Sequence, residues 1–139
     1  MIYKNLLLHN NIFEKLLEIA SNKKIQNSYI FHGQEGIGKE AHAIEFFATL
    51  NCNNDDRNCN GCSSCNKTKS LQHELLNIIL PLPKNKSITK KDSALKTLDK
   101  KQLDELTKEL HKKGQNPYHK IKLSNANTIL INSINDIKK

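Results

Sequence analysis

The sequence contains no tryptophan and few other aromatic residues, with four phenylalanines and three tyrosines. No apolar run approaches the roughly 18 residues that a membrane-spanning helix needs, and charges and amides make the N-terminus unlike a signal peptide. These absences predict a cytoplasmic protein without a membrane segment. With 139 residues, of which 37% are hydrophobic, the chain is long enough for one modest globular domain.

Arginine is nearly absent as well. Arg57 is the only one, so the net charge of +8 comes almost wholly from lysine. A basic balance of this size permits contact with nucleic acid. Because arginine for bidentate base contacts and aromatic rings for stacking are both scarce, the charge favours a solvated basic surface over a dedicated nucleic-acid site.

Hydrophobic periodicity predicts a strand, a glycine-rich turn and a helix in the first half of the chain. Apolar residues at helical spacing predict an amphipathic helix over 10–21, and a short β-favouring run at 28–32 ends at a glycine. Helical spacing returns over 39–50. A second apolar run at 77–82 ends among prolines, which predicts another strand with its exit loop.

A lysine-rich stretch follows the second predicted strand. Residues 84–96 are poor in large apolar side chains, which predicts a solvated connection. Asp99 and Gln102 then form a capping-box-like start to a helix whose leucine stripe ends near Gly114. We therefore assign 84–116 to a lysine-rich and helical insertion.

The first motif with chemical content is a glycine-rich loop at 33–40, which fits the phosphate-binding pattern G-x-x-x-x-G-K-[ST] except at its last position. Its glycines let backbone N–H groups turn toward phosphates, the following helix directs its positive end at them, and the lysine reaches the outer oxygens. The candidate nucleotide-binding residues are Gly33, Gly36, Ile37, Gly38, Lys39 and Glu40.

Glu40 departs from that pattern, because it stands where a serine or threonine hydroxyl would bind Mg²⁺ beside the phosphates. A carboxylate placed roughly 4 Å from a phosphate oxygen is repelled by about 4 kcal/mol at an effective dielectric constant of about 20. We therefore expect ATP or ADP to bind weakly at most. The chain is not expected to be a competent ATPase, and no catalytic residue is assigned.

The second motif contains every cysteine of the chain, spaced C-x6-C-x2-C-x2-C: Cys52, Cys59, Cys62 and Cys65. Four thiolates suffice to close a tetrahedral zinc shell, and Gly61 supplies a tight turn between them. This spacing predicts a structural zinc module over 51–67 with no open position for catalysis. An iron–sulfur cluster, disulfides, four uncoupled thiols and a shell in which His73 replaces one thiolate are the alternatives.

The order of these elements resembles the N-terminal domain of bacterial DNA polymerase III clamp-loader subunits of the delta-prime or gamma/tau type. The resemblance rests on Ser-Tyr-Ile-Phe-His-Gly leading into the glycine-rich loop, on the helix after it, and on four cysteines inserted directly behind that helix. His73-Glu74-Leu75 is similar to the family's His-Pro-Asp/Glu-Leu segment, and 77–83 falls where its second strand should be. Segments 116–121 and 129–134 are similar to the family's segment that leads to a helix reading "Ile-Arg-Asp-Ile" or similar. The resemblance therefore spans essentially the whole chain.

The resemblance implies an α/β fold in which 1–139 form the N-terminal part of a AAA+ P-loop domain with a parallel-sheet core. It also implies a subunit of the DNA polymerase III holoenzyme that helps load the sliding clamp onto primed DNA during replication. The expected partners are the gamma/tau and delta subunits. Glu40 favours a delta-prime stator that need not hydrolyse ATP.

The family's Walker B strand, sensor motifs, lid and collar domain have no counterpart that we can assign in this sequence. We therefore expect a truncated product or a fragment, or an activity that resides in a partner chain. An active gamma/tau-type ATPase, a zinc-ribbon nucleic-acid-binding module and a small P-loop kinase are the alternative functions.

Overall fold

The computed structural model describes residues 1–7, 10–55 and 59–138, and regular secondary structure within these ranges is helical. The helices are α1 (Asn10–Ser21), α2 (Lys39–Leu50), α3 (Ser63–Lys69), a 3₁₀ helix (Ala94–Thr97), α4 (Lys100–Gln115) and α5 (Ile131–Asp136). The helices predicted over 10–21 and 39–50 are confirmed. No helix in the described ranges is both long and apolar enough to cross a membrane.

The predicted parallel-sheet α/β core is wrong, because no strand occurs in the described ranges. The segment 28–32 has no ladder; Tyr29 and Phe31 pack against a hydrophobic cluster, while Ile30 between them is 89% exposed. The run at 77–82 makes one isolated antiparallel bridge, from Leu82 to Thr128. β propensity records how well a side chain suits a pleated surface, whereas a strand also needs a neighbouring segment within hydrogen-bonding reach.

The described residues form two compact units, and the first comprises Met1–Leu76 and Lys113–His119. Its main cluster packs α2 against the N-terminal segment and the cysteines; the buried members are Ile2, Tyr3, Leu6, Ala41, Ile44, Ala48 and Cys65. Glu45 of α2 is also buried, and its two carboxylate oxygens accept the backbone N–H groups of Ile2 and Tyr3 at 2.7 and 3.1 Å. The N-terminal segment is thereby fixed along α2.

A second cluster of the first unit joins α1 to α2. Leu16 and Ala20 of α1 are buried against Phe46 of α2, and the ring of Tyr29 meets Phe46 edge-on with centroids 5.2 Å apart. Because α2 is covered by this cluster and by the N-terminal segment, its buried residues extend round much of its circumference. The helix that follows the glycine-rich loop is therefore held firmly in place.

The second unit comprises Asn77–Lys112 and Lys120–Lys139. Its core consists of Leu82, Ala94, Leu98 and Leu123, with Leu106, Ala126 and Leu130 packed against it. The capping box at the start of α4 is confirmed: the N–H of Gln102 donates to Asp99 Oδ1 at 2.8 Å, and the N–H of Asp99 donates to Gln102 Oε1 at 3.1 Å.

Candidate metal centre and glycine-rich loop

The four cysteines converge, and their sulfur atoms all lie within 4.8 Å of one another. The Sγ of Cys59 lies 3.4 Å from that of Cys52 and 3.7 Å from that of Cys65. A tetrahedral shell with zinc–sulfur bonds of about 2.3 Å places its sulfurs about 3.8 Å apart. The cysteines are not joined as disulfides, and this arrangement could bind a metal ion. Residues 56–58 of the predicted module, Arg57 among them, lie outside the described residues.

Local backbone structure places the thiols. Cys62 is the N-cap of α3, and its Sγ accepts the N–H of Cys65 at 3.4 Å. The Sγ of Cys59 accepts the N–H of Cys62 at the same distance. Cys52 follows the end of α2, so the cluster links α2 to α3.

The same N–H groups change the acidity of the thiols, because a donor aimed at sulfur favours the thiolate. The N–H groups of Asn53 and Cys65 lower the pKa of Cys62 to about 6. Those of Gly61 and Cys62 also lower the pKa of Cys59, whereas burial raises the pKa of Cys65. The cluster thus combines thiols that ionise readily with one whose ionisation a bound cation would favour.

His73 lies beside this cluster without belonging to the ligand set. Its Nδ1 accepts the N–H of Leu75 at 3.2 Å, so in the neutral ring Nε2 donates to Ser64 Oγ, 3.0 Å away. The ring also meets Phe47 edge-on, with centroids 5.1 Å apart. Because both ring nitrogens are engaged, His73 supports α3 from outside instead of replacing a thiolate in this arrangement.

The glycine-rich loop contains backbone conformations that favour glycine. Gly36 and Gly38 have φ angles of 83° and 82°, in the region that glycine adopts without strain. α2 begins at Lys39, and no side chain caps it. The Nζ of Lys39 donates to the carbonyl oxygens of Gly33 and Gln34 at 3.0 and 2.7 Å, so the ammonium lies on the loop itself.

The predicted loop residues differ in their surroundings. Gly36 and Ile37 are exposed, and a Cβ placed on Gly36 would meet nothing within 4 Å. A Cβ on Gly38 would lie 3.0 Å from Cε1 of Tyr118 and 3.3 Å from Cδ1 of Leu6. One end of the loop is therefore open to solvent and the other is covered by packed side chains.

Glu40 faces an ammonium group. Its Oε2 lies 2.8 Å from Nζ of Lys113, which also donates to the carbonyl oxygen of Pro117 at 2.9 Å. Lys113 is 2% exposed. No sequence pattern predicts a role for Lys113, because a lysine in the last turn of a helix is common and nothing in the sequence connects it to a residue 73 positions earlier.

A glycine-rich loop that opens a helix, with a cysteine cluster directly after that helix, is the arrangement on which the resemblance to clamp-loader subunits rests. The chain belongs to the family described as DNA polymerase III, delta subunit, whose model matches residues 8–139. The family is one of clamp-loader-type subunits that act in DNA replication, so this part of the resemblance is confirmed.

Two curated plant proteins share part of the sequence. The chain is 32% identical to Protein STICHEL-like 4 and 34% identical to Protein STICHEL-like 3, both of Arabidopsis thaliana, over 65 residues in each case. These matches cover 45% of this chain but only 7% and 6% of the two relatives. No solved structure matches the chain.

Proposed function

We propose that the chain is a delta-prime-type clamp-loader subunit, a stator that acts in the cytoplasm and helps load the sliding clamp onto primed DNA within the DNA polymerase III holoenzyme. Membership of the family supports the clamp-loader role. The observation that carries the stator role is the ion pair between Glu40 and Lys113, because it stands where a hydrolysing subunit would bind Mg²⁺.

The glycine-rich loop is proposed as a weak site for ATP or ADP. Its contacts would be the backbone of Gly33, Gly36, Ile37 and Gly38 and the ammonium of Lys39. That ammonium would first have to leave the two loop carbonyls to which it donates. Phosphoryl transfer depends on positioning and on charge neutralisation by a metal ion, so this chain is not expected to hydrolyse ATP.

The cysteine cluster is proposed as a structural zinc site. Cys52, Cys59, Cys62 and Cys65 would hold Zn²⁺, and four thiolates leave no open position for a substrate or water. When bound, the ion would contribute folding free energy instead of Lewis-acid chemistry. We also propose that 51–67 form the zinc module and that 84–116 form an insertion in the family's N-terminal region.

The proposed partners are the gamma/tau and delta subunits, and reconstitution tests the assignment. The chain should co-elute with these subunits on size-exclusion chromatography. Complexes containing the unmodified chain or its Lys39→Ala variant should hydrolyse ATP at equal rates, since the motor subunits do the work. Failure of the folded chain to join the complex would contradict the clamp-loader role. A slower ATPase with Lys39→Ala would instead favour the gamma/tau-type alternative.

A further inference from the structure

The last turn of α4 and the residues after it, 113–119, lie against the start of α2. Lys113 is buried, whereas the side chain of Glu40 is 48% exposed. A buried ammonium is tolerated only when it is paired and hydrogen-bonded, and Lys113 has both the Glu40 carboxylate and the Pro117 carbonyl as acceptors. Glu40 is thus the charge that balances Lys113.

Tyr118 makes two further attachments of the same segment. Its hydroxyl accepts the N–H of Leu7 at 2.9 Å. Its ring lies directly on Gly38, where an added Cβ would be 3.0 Å from Cε1. The 113–119 segment is therefore fixed at Glu40, at Gly38 and at Leu7, and two of these three residues belong to the glycine-rich loop or to the first turn of α2.

We propose that the 113–119 segment forms a closure over the end of the loop at which Mg²⁺ would bind. The ammonium of Lys113, paired with Glu40, occupies the position of the divalent cation, so Mg²⁺-nucleotide is excluded while the pair is intact. The inference deepens the stator proposal by naming the contact that disables the loop. Mg²⁺ demands near-octahedral oxygen ligands and is repelled by a neighbouring ammonium, and the Glu40 carboxylate is already paired with that ammonium.

The closure and the mere absence of a hydroxyl at position 40 predict different results for the Glu40→Thr variant. If Glu40 were only a missing ligand, Glu40→Thr would restore metal binding. If Glu40 holds the closure, Glu40→Thr leaves the buried Lys113 ammonium without its counter-charge and beside the incoming metal. Only the joint replacement Glu40→Thr with Lys113→Met removes the cation and supplies the hydroxyl.

The test measures the binding of a fluorescent ADP analogue to the full chain with Mg²⁺ and with EDTA. The unmodified chain and Glu40→Thr should each bind equally under the two conditions, within about twofold. The double variant should bind at least tenfold more tightly with Mg²⁺. Lys112→Met is the matched control, because Lys112 is the exposed neighbour on the same helix and pairs with Glu109 instead. It should behave like the unmodified chain.

Two results would overturn the closure. One is tenfold or greater tightening by Mg²⁺ in the unmodified chain or in Glu40→Thr alone. The other is a double variant that is folded by circular dichroism and gains no Mg²⁺-dependent binding. Neither result bears on assembly with the gamma/tau and delta subunits, so failure of the closure can be told apart from failure of the proposed function.

Discussion

The cysteine cluster and the glycine-rich loop lie in the same unit, at opposite ends of α2, yet they keep their motifs to different extents. In the cluster all four side chains named by the spacing converge within 4.8 Å. In the loop two glycines have positive φ angles, but the side chain of Glu40, which departs from the motif, faces Lys113. All four thiols of the cysteine cluster lie within 52–65, so the sequence of this motif alone predicts that they converge. The glycine-rich loop contacts a residue far along the chain, so its own sequence does not predict its surroundings.

The largest expected effect is the loss of one ligand from the cluster. Cys65 is buried and lies 3.7 Å from the sulfur of Cys59. Cys65→Ser should weaken zinc binding by more than about 100-fold, since even loss of an outer partner of a metal ligand costs roughly 10–100-fold. Metal analysis and competition with a chromophoric chelator measure the change. Ser63→Ala, at an exposed position of the same helix, should retain one ion per chain.

If Cys65→Ser kept the full metal affinity, Cys65 would not be a ligand. The cysteine cluster, like the glycine-rich loop, would then depart from its motif. Iron in place of zinc, in protein purified without added metal, would favour the iron–sulfur alternative. Either result is visible in the same metal analysis.

Gly114, in the last turn of α4, packs on the end of α3. A Cβ there would lie 2.6 Å from the carbonyl oxygen of Lys69, a backbone atom that cannot rotate away. Alanine normally stabilises a helix interior by about 0.5–1 kcal/mol relative to glycine. Here Gly114→Ala should instead lower the free energy of unfolding by about 1–3 kcal/mol, as overpacking does.

Thermal and urea unfolding of Gly114→Ala measure that change. The control is Gln115→Ala, at the exposed final residue of α4, which should alter the free energy of unfolding by no more than about 0.5 kcal/mol. A more stable Gly114→Ala variant would show that α4 does not pack this closely on α3.

Two of the three glycines of the loop, Gly36 and Gly38, allow a matched test of its open and covered ends. Gly36 and Gly38 have nearly equal positive φ angles, so alanine costs each of them roughly 1–2 kcal/mol in backbone strain. Only Gly38 lies under the ring of Tyr118. Gly38→Ala should therefore destabilise the chain by about 1 kcal/mol more than Gly36→Ala, as measured by urea unfolding. Equal losses would mean that Tyr118 does not rest on the loop.

Local sequence signals predicted most of what depends on nearby residues. The helical spacing of 10–21 and 39–50 and the capping box at Asp99 are all realised, because helices and caps form from residues within one or two turns of each other. The predicted strands at 28–32 and 77–82 failed, since a strand needs a partner that its own sequence does not specify.

The candidate site divides in the same way. The spacing of the cysteines sufficed to predict their convergence, because the bend at Asn60 and the start of α3 bring Cys59, Cys62 and Cys65 together locally. The pairing of Glu40 with Lys113 connects residues 73 positions apart. No local pattern encodes such a pair, and only packing places the last turn of α4 at the start of α2.

Another modest effect is expected at His73, and it tests whether this residue supports the cysteine cluster from outside or is one of its metal ligands. His73→Phe keeps an aromatic ring against Phe47 but removes the hydrogen bonds to Ser64 and from the N–H of Leu75. The free energy of unfolding should fall by about 1–2 kcal/mol, since a typical hydrogen bond contributes about 0.5–1.5 kcal/mol. Zinc stoichiometry should stay at one ion per chain, because the four thiolates already complete the shell. A chain that loses its zinc on this substitution while remaining folded would make His73 a ligand, and the cysteine cluster would then depend on a residue outside its own motif, as the glycine-rich loop does.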